Sequence, residues 1–265
     1  MKFKAILYRT KQTMRLVLEL SKKDLEIRFL GSYLGLAWAF IQPTIQILLF
    51  WFVFQVGFKS APVDNVPFIL WLTAAMVPWL FVSDSLNNAA NSVVDNRHLV
   101  KKMNFNAMIL PLVKITNSLY IHTFFVIFLF LMYLVYDVIP DIFTLQVVYY
   151  SFSCICLVLG VSLITSALVV FIKDVGQAVS MSLQFLFWLT PIFWSLDIMP
   201  EKYHVWIKLN PLIYIVEGYR DAFIYKHWFW EHPFQSIYFW SVTITLIVVG
   251  ATIFKRTKPH FADVL

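Results

Sequence analysis

Charge is scarce in this chain: Asp, Glu, Lys and Arg make up 14% of its 265 residues, against about 25% in an average soluble domain. That scarcity excludes a water-soluble globule and a disordered segment alike. Only two cysteines are present, Cys154 and Cys156, two apart inside an apolar run, so neither a disulfide scaffold nor a thiolate metal site has its ligands. None of the seven glycines, at 31, 35, 57, 160, 176, 218 and 250, is followed by lysine. A Gly-x-x-x-x-Gly-Lys-Ser/Thr phosphate loop is therefore missing, and with it that route to ATP. The histidines, His98, His122, His204, His227, His232 and His260, show no His-Glu-x-x-His spacing, and no Gly-x-Ser-x-Gly elbow occurs. Metalloprotease and serine-hydrolase chemistry thus lack their carriers.

What is abundant is apolar surface: 60% of the residues are hydrophobic and 18% aromatic. A hydrocarbon core of about 30 Å needs roughly 20 apolar residues per helix. Six windows meet that need, near Ala37–Gly57, Pro67–Leu86, Met108–Tyr136, Gln146–Ile172, Val179–Leu196 and Ile237–Phe254. The expected fold is therefore an all-α polytopic membrane protein of six transmembrane helices. Pro78 and Pro191 fall inside the second and fifth windows and can kink or break them. The whole chain reads as one transmembrane domain, with residues 1–36 a cytoplasmic N-terminal segment, 37–254 the six-span region and 255–265 a cytoplasmic tail. Of the Lys and Arg residues, 15 fall on the side holding both termini and 5 on the other, while Lys114 sits within the third span. The positive-inside rule then makes both termini cytoplasmic. The net charge of +6 is accounted for by topology, and no nucleic acid partner is expected.

The basic start, Met1 to Arg15, has no unbroken apolar core behind it, so no cleavable signal peptide is expected. From Thr13 to Leu30 charges alternate with Leu16, Val17, Leu18, Leu20, Leu25 and Ile27. An amphipathic helix in the cytoplasmic interface fits this pattern, with Lys22, Lys23 and Arg28 towards headgroups; a solvated helix is the rival. Asp197 to Ser236 is too long for a helix hairpin loop and too apolar for a soluble one. It reads as a pair of helices dipping part-way into the outer leaflet, with Trp228, Phe229 and Trp230 at the outer interface. Inside the spans the only Asp, Glu, Lys or Arg residues are Asp84 and Lys114. Lys114 either snorkels to the cytoplasmic headgroups or faces a polar cavity. The spans show no internal repeat of the kind a proton-coupled transporter uses.

Two features remain. Phe40, Thr44, Ile47, Trp51, Phe54 and Phe58 form one helical stripe, and Phe185, Phe187, Trp188, Phe193 and Trp194 enrich the fifth span. Such stripes serve packing or lipid contact; they also suit stacking against sugar rings. The cytoplasmic loop Ser92–Asn106 is either a basic topogenic loop or a docking helix. In the second case Val94, Leu99 and Met103 are apolar anchors, with Arg97, His98, Lys101 and Lys102 beside them.

Several motifs carry a resemblance: Tyr33-Leu34-Gly35-x-x-Trp38 with Pro43 entering the first span, Lys173-Asp174-Val175 after the fourth and Thr190-Pro191 in the fifth. Asn210-Pro211-x-x-Tyr214-x-x-Glu217-x-x-Arg220 precedes the sixth. In their order and spacing the chain resembles the membrane subunit of polysaccharide-exporting ABC transporters, the family of O-antigen, capsule and teichoic-acid permeases. The resemblance implies a homodimer joined to two copies of a separate ABC ATPase, which binds ATP and Mg; this chain holds no cofactor and no catalytic residue. It implies that the N-terminal helix and the loop around Arg97 to Met103 contact that ATPase, and that Pro200 to Arg220 is re-entrant. Asn210, Pro211, Tyr214, Glu217 and Arg220 would then form an exit gate. The family's channel aromatics would fall on Phe40, Trp51, Phe54, Phe58, Phe187 and Trp188. The implied cargo is a lipid-linked glycan, foremost an O-antigen, crossing the bacterial inner membrane. Its pyrophosphate would meet Lys22, Lys23 and Arg28, with Lys114 a second choice. Exporters of capsule, teichoic acid, a drug or a lipid are alternatives, as is a membrane-embedded acyl or glycosyl transferase.

Overall fold

A computed structural model describes residues 2–28, 30–59, 66–102 and 105–265, with side chains from residue 11 onward. Every regular element among them is helical. In chain order these are α1 (Lys2–Arg28), α2 (Trp38–Trp51), α3 (Phe68–Ala90), the one-turn α4 (Ser92–Asp95) and α5 (Arg97–Val100), and α6 (Ile109–Val135). Then come α7 (Gln146–Val169), α8 (Asp174–Leu189), α9 (Glu201–Lys208), α10 (Pro211–Arg220), α11 (Pro233–Thr257) and α12 (Phe261–Val264). A π turn, Phe52–Gly57, prolongs α2, and another, Asp221–Tyr225, prolongs α10.

Five stretches are long and apolar enough to cross a membrane: Gly35–Gly57, Phe68–Ala90, Ile109–Val135, Ile142–Val169 and Pro233–Val264. They coincide with five of the six expected spans. The fifth expected span, Val179–Leu196, is corrected: the helix there is Asp174–Leu189, 16 residues, or about 24 Å at 1.5 Å per residue. It ends because Thr190, next to Pro191, adopts extended backbone with ψ 134°, the conformation a following proline imposes. Pro78 sits inside α3 without ending it.

Helix α3 is the axis of the bundle, with α2, α6, α7, α8 and α10 packed around it, while α11 lies against α7. The α7–α11 contact is close because both helices place glycine there. A Cβ on Gly160 would stand 2.9 Å from the Ile247 nitrogen, and one on Gly250 would stand 2.8 Å from the Gly160 carbonyl oxygen. Small residues that let backbones approach are the usual glue between membrane helices. One end of the bundle, here called basal, gathers α1, α4, α5 and α12: Val93, Ala107, Leu110, Leu163, Phe254 and Phe261 form a shared apolar cluster there. The opposite, distal end carries the α9–α10 hairpin.

Helix α1 is longer than the expected Thr13–Leu30 helix and reaches back to Lys2. Its contact with α6 is a seam of small and polar side chains. Val17 and Ser21 are buried, and Ser21 Oγ donates to the Val113 carbonyl at 3.2 Å. Asp24 and Arg28 continue the same face one turn at a time. Leu16, Leu18 and Ile27 stay exposed, together with Lys22 and Lys23.

Candidate functional site

The distal halves of α2 and α8 meet in an aromatic cluster. Phe50 packs on Phe187 with ring centroids 5.3 Å apart, and Phe54 stacks on Phe193 at 5.0 Å. Phe187 also reaches Trp79 of α3 at 5.4 Å and Trp188 at 5.7 Å. Phe58 touches Phe54 at 5.5 Å and is otherwise exposed. Of this cluster the α2 stripe contains Phe54 and Phe58 and the aromatic enrichment of the fifth window contains Phe187, Trp188 and Phe193, whereas Phe50 and Trp79 belong to neither. The other two stripe residues lie apart: Phe40 packs on Phe124 of α6 at 4.5 Å, and Trp51 Nε1 donates to Gln55 Oε1 at 2.6 Å. The cause is the π turn. Beyond Trp51 the backbone bonds i to i+5, as where Phe58 N–H donates to the Val53 carbonyl at 2.9 Å. A stripe drawn at 3.6 residues per turn loses its register there. Leu48, Leu49 and Phe52 of α2 and Phe185, Trp188 and Leu189 of α8 are exposed, which leaves apolar surface on both helices uncovered within one chain.

Below this face the distal hairpin is latched to the broken end of α8. Arg220 is fully buried: Nη1 donates to the Pro191 carbonyl and to Glu217 Oε1, both at 2.7 Å, and Nη2 donates to the Ile192 carbonyl at 2.8 Å. Its guanidinium carbon lies 3.4 Å from the centroid of the Trp71 ring. Arginine suits this place because a planar fork satisfies two carbonyls that Pro191 leaves without helix partners and stacks on an indole at once. Asn210 completes the latch. Its Oδ1 accepts from the Leu212 N–H at 3.0 Å, capping α10 ahead of Pro211, while its Nδ2 donates to Thr190 Oγ1 at 2.9 Å. Tyr214 ties α10 to both neighbours, its hydroxyl 2.8 Å from that of Tyr149 and 3.0 Å from Ser236 Oγ. A Cβ on Gly218 would stand 2.0 Å from Tyr150 Cε1, so α10 seats on α7 only with glycine there. The two hairpin helices differ: α10 is almost wholly buried and α9 buries nothing. In the turn that follows, the His227 ring and the Trp228 N–H bind the Glu231 carboxylate and hold it below the usual carboxylate range.

At the basal end the two interior charges are neutralised. Lys114 Nζ donates to Asp24 Oδ1 at 2.7 Å, and Asn117 Nδ2 donates to Asp24 Oδ2 at 2.6 Å. Lys114 therefore reaches sideways to α1 instead of down to headgroups. Arg28 Nη2 donates to Asp84 Oδ1 at 2.7 Å, and Ser118 Oγ donates to Asp84 Oδ2 at 2.6 Å. Of the four cations singled out for pyrophosphate, Arg28 and Lys114 thus have carboxylate partners, whereas Lys22 and Lys23 are exposed and make no ion pair with any described residue. Beside the Arg28–Asp84 pair, α2, α3 and α6 enclose a cavity of about 300 Å³. The signal that locates Asp24 is the spacing of Val17, Ser21, Asp24 and Arg28, one face of α1; its partner, 90 residues away, leaves no local trace.

The basal loop folds as α4 and α5. Val94 and Leu99 pack partly against the Val93–Phe254–Phe261 cluster of this chain, and α12 rests on α5. Arg97, His98, Lys101 and Lys102 point outward as an exposed basic surface. Met103, the third expected anchor, lies outside the described residues. Among the described residues no group of three or more His, Cys, Asp or Glu side chains is placed to hold a metal ion.

The profile of the ABC-2 type transporter family matches residues 15–224. Two O-antigen export system permease proteins of Klebsiella pneumoniae are each 28% identical to the chain over 253 residues, which cover 94% of it and 95% of their own length. An O-antigen export system permease protein of Myxococcus xanthus is 25% identical over 256 residues, 94% of each chain.

Proposed function

The chain belongs to the ABC-2 type transporter family, and from that premise we propose that it is the permease subunit of an exporter for a lipid-linked polysaccharide, foremost an O-antigen. Family membership implies a separate ABC ATPase as partner, which accords with the missing phosphate loop. The observation that carries the choice of cargo is the likeness to O-antigen export permeases along nearly the whole chain.

In this reading the membrane is the bacterial cytoplasmic membrane and the basal end faces the cytoplasm, where the exposed Lys22, Lys23, Arg97, Lys101 and Lys102 lie. Six crossings are supported by connectivity. The ends of α1 and α11 share the basal cluster region, so an even number of traverses is needed, and α8 carries the chain from the basal to the distal end between α7 and the hairpin. Its 16-residue helix is completed by the extended Thr190–Ile192 segment that Arg220 satisfies. Two copies of the chain meet across the uncovered α2–α8 faces. The aromatic cluster of Phe50, Phe54, Phe187 and Trp188 then lines the passage, where flat rings slide against sugar rings without fixed hydrogen bonds. The α4–α5 surface docks on the ATPase. Because Val94 and Leu99 pack on Phe254 and Phe261, a push on this loop is felt by the ends of α6, α7 and α11 together. The α9–α10 hairpin, latched to α8, closes the distal exit and moves with α8.

Reconstitution tests the reading. The chain co-purified with its ATPase and placed in vesicles moves a lipid-linked glycan in an ATP-dependent way, and the glycan stimulates hydrolysis. Hydrolysis of ATP by the chain alone, or glycan transport with no second subunit present, overturns it.

A further inference from the structure

Helix α2 contains three polar side chains in an otherwise apolar sequence. Thr44 is satisfied within the helix, its hydroxyl donating to the Phe40 carbonyl at 2.7 Å. Gln42 and Gln46 are not: neither amide makes a hydrogen bond with any described residue. They stand one turn apart, about 6 and 12 Å along the helix from Trp38, and both line the cavity of about 300 Å³ enclosed by α2, α3 and α6. Gln42 is exposed and Gln46 half-buried, so both amides are open to a polar occupant of that cavity. The occupant is not an anion. Arg28 and Asp84 line the cavity and pair with each other at 2.7 Å, and Ser118 holds the second carboxylate oxygen at 2.6 Å, so the wall carries no net charge from them. Each glutamine offers a donor and an acceptor side by side, the match for neighbouring hydroxyl groups. The Trp38 ring at the mouth supplies an apolar face for a ring to lie on.

We propose that this cavity binds an uncharged, hydroxyl-rich sugar, the one that adjoins the lipid anchor of the cargo, through Gln42 and Gln46. The site rests on the glycan reading above and lies basal to the α2–α8 aromatic passage, since Gln42, Gln46 and Phe50 follow one another at i, i+4 and i+8 along one face of α2. It holds the first sugar at interface depth while the anchor stays in the bilayer.

The test uses the full chain in phosphatidylcholine nanodiscs, titrated below micellar concentrations with octyl glucoside, octyl phosphate and octanol while the thermal unfolding midpoint is followed. Octyl glucoside raises the midpoint saturably and the other two do not. The double variant Gln42→Leu/Gln46→Leu, whose side chains suit a membrane helix, weakens the glucoside affinity by about tenfold or more, the size expected for two lost hydrogen bonds. If that variant does not fold, Gln46→Met alone gives about a threefold loss. Unchanged affinity in the variants, equal binding of octyl phosphate, or no saturable binding at all, which would mean a cavity holding water only, overturns the proposal. In the vesicle assay the two readings separate. Loss of glucoside selectivity with glycan export intact removes the sugar site and leaves the exporter, whereas a wild-type complex that exports no glycan removes the exporter whatever the glucoside result.

Discussion

Helices α2 and α3 are neighbours of the same length class and similar apolarity, yet 83% of the apolar stretch of α3 is buried inside the chain and only 11% of that of α2. The difference teaches that in a bilayer composition sets which segments enter and says nothing about what they touch, because lipid tails and side chains are equally good company for leucine. What separates the two helices is their polar content. In α3 the polar atoms mostly find partners: Thr73, Asp84, Asn87 and Asn88 bond to their own helix or to α1, α6 and α8. Helix α2 keeps two amides open towards a cavity and an aromatic face open to whatever lies outside. The buried helix is structural scaffold; the exposed one is where the proposed function places a second copy and a cargo.

The comparison is broken most severely at its buried side. Arg220→Met frees the Pro191 and Ile192 carbonyls and strands Glu217, and should destabilise the chain by about 3–5 kcal/mol. The readout is a lower unfolding midpoint in detergent together with faster tryptic cleavage at Lys202 and Lys208. Trp71→Ala, which removes the stacking partner from the core of α3, should cost a similar amount by cavity formation. Wild-type midpoints in both would mean that the latch does not hold α8. Next comes Gly218→Ala, which forces a methyl into the Tyr150 ring and should cost about 1–3 kcal/mol; adding Tyr150→Leu should recover part of the loss, and a double variant as unstable as the single one would disprove the close approach. Asp24→Asn weakens both of the bonds Asp24 makes to α6 and should cost about 1–2 kcal/mol. Replacing Asp24 and Lys114 together by leucine and methionine should be milder than Lys114→Met alone, since a lone buried carboxylate is worse than none. The smallest effect is expected on α2: Leu48→Ala and Phe52→Ala should leave the unfolding midpoint within about 0.5 kcal/mol of wild type, while self-association and ATP-dependent export fall. Full export with an unchanged dimer in both variants would assign that face to lipid.

Much of the fold is legible in the sequence because hydrocarbon imposes a length and a polarity on every crossing. The windows for α2, α3, α6, α7 and α11 follow from this rule alone, and Pro191 marks the break in α8, though the count of apolar residues carries the window past it. The candidate site is less legible. The stripe from Phe40 to Phe58 assumes one helical period, and the π turn after Trp51 breaks it, so Phe50, off the stripe, is the residue that meets Phe187. Glu217 and Arg220 are visible as a pair at i and i+3, but the carbonyls that bury Arg220 belong to a segment 28 and 29 residues earlier. Lys114 offers two readings along the chain, and its actual partner is on a different helix.

By itself the sequence determined that this protein lives in a membrane, that its basic residues are unevenly spread between the segments joining the apolar windows, and that it carries no Gly-x-x-x-x-Gly-Lys-Ser/Thr phosphate loop. Those properties are additive along the chain, each residue contributing its transfer energy or its charge wherever it sits. Only the tertiary structure decided that Lys114 and Arg28 are neutralised by Asp24 and Asp84, that Arg220 fastens α10 to the end of α8, and that Gln42 and Gln46 open on a cavity. Those properties are pairwise and depend on distances of a few ångströms between helices far apart in sequence. The hydrophobic pattern that selects the spans is indifferent to them.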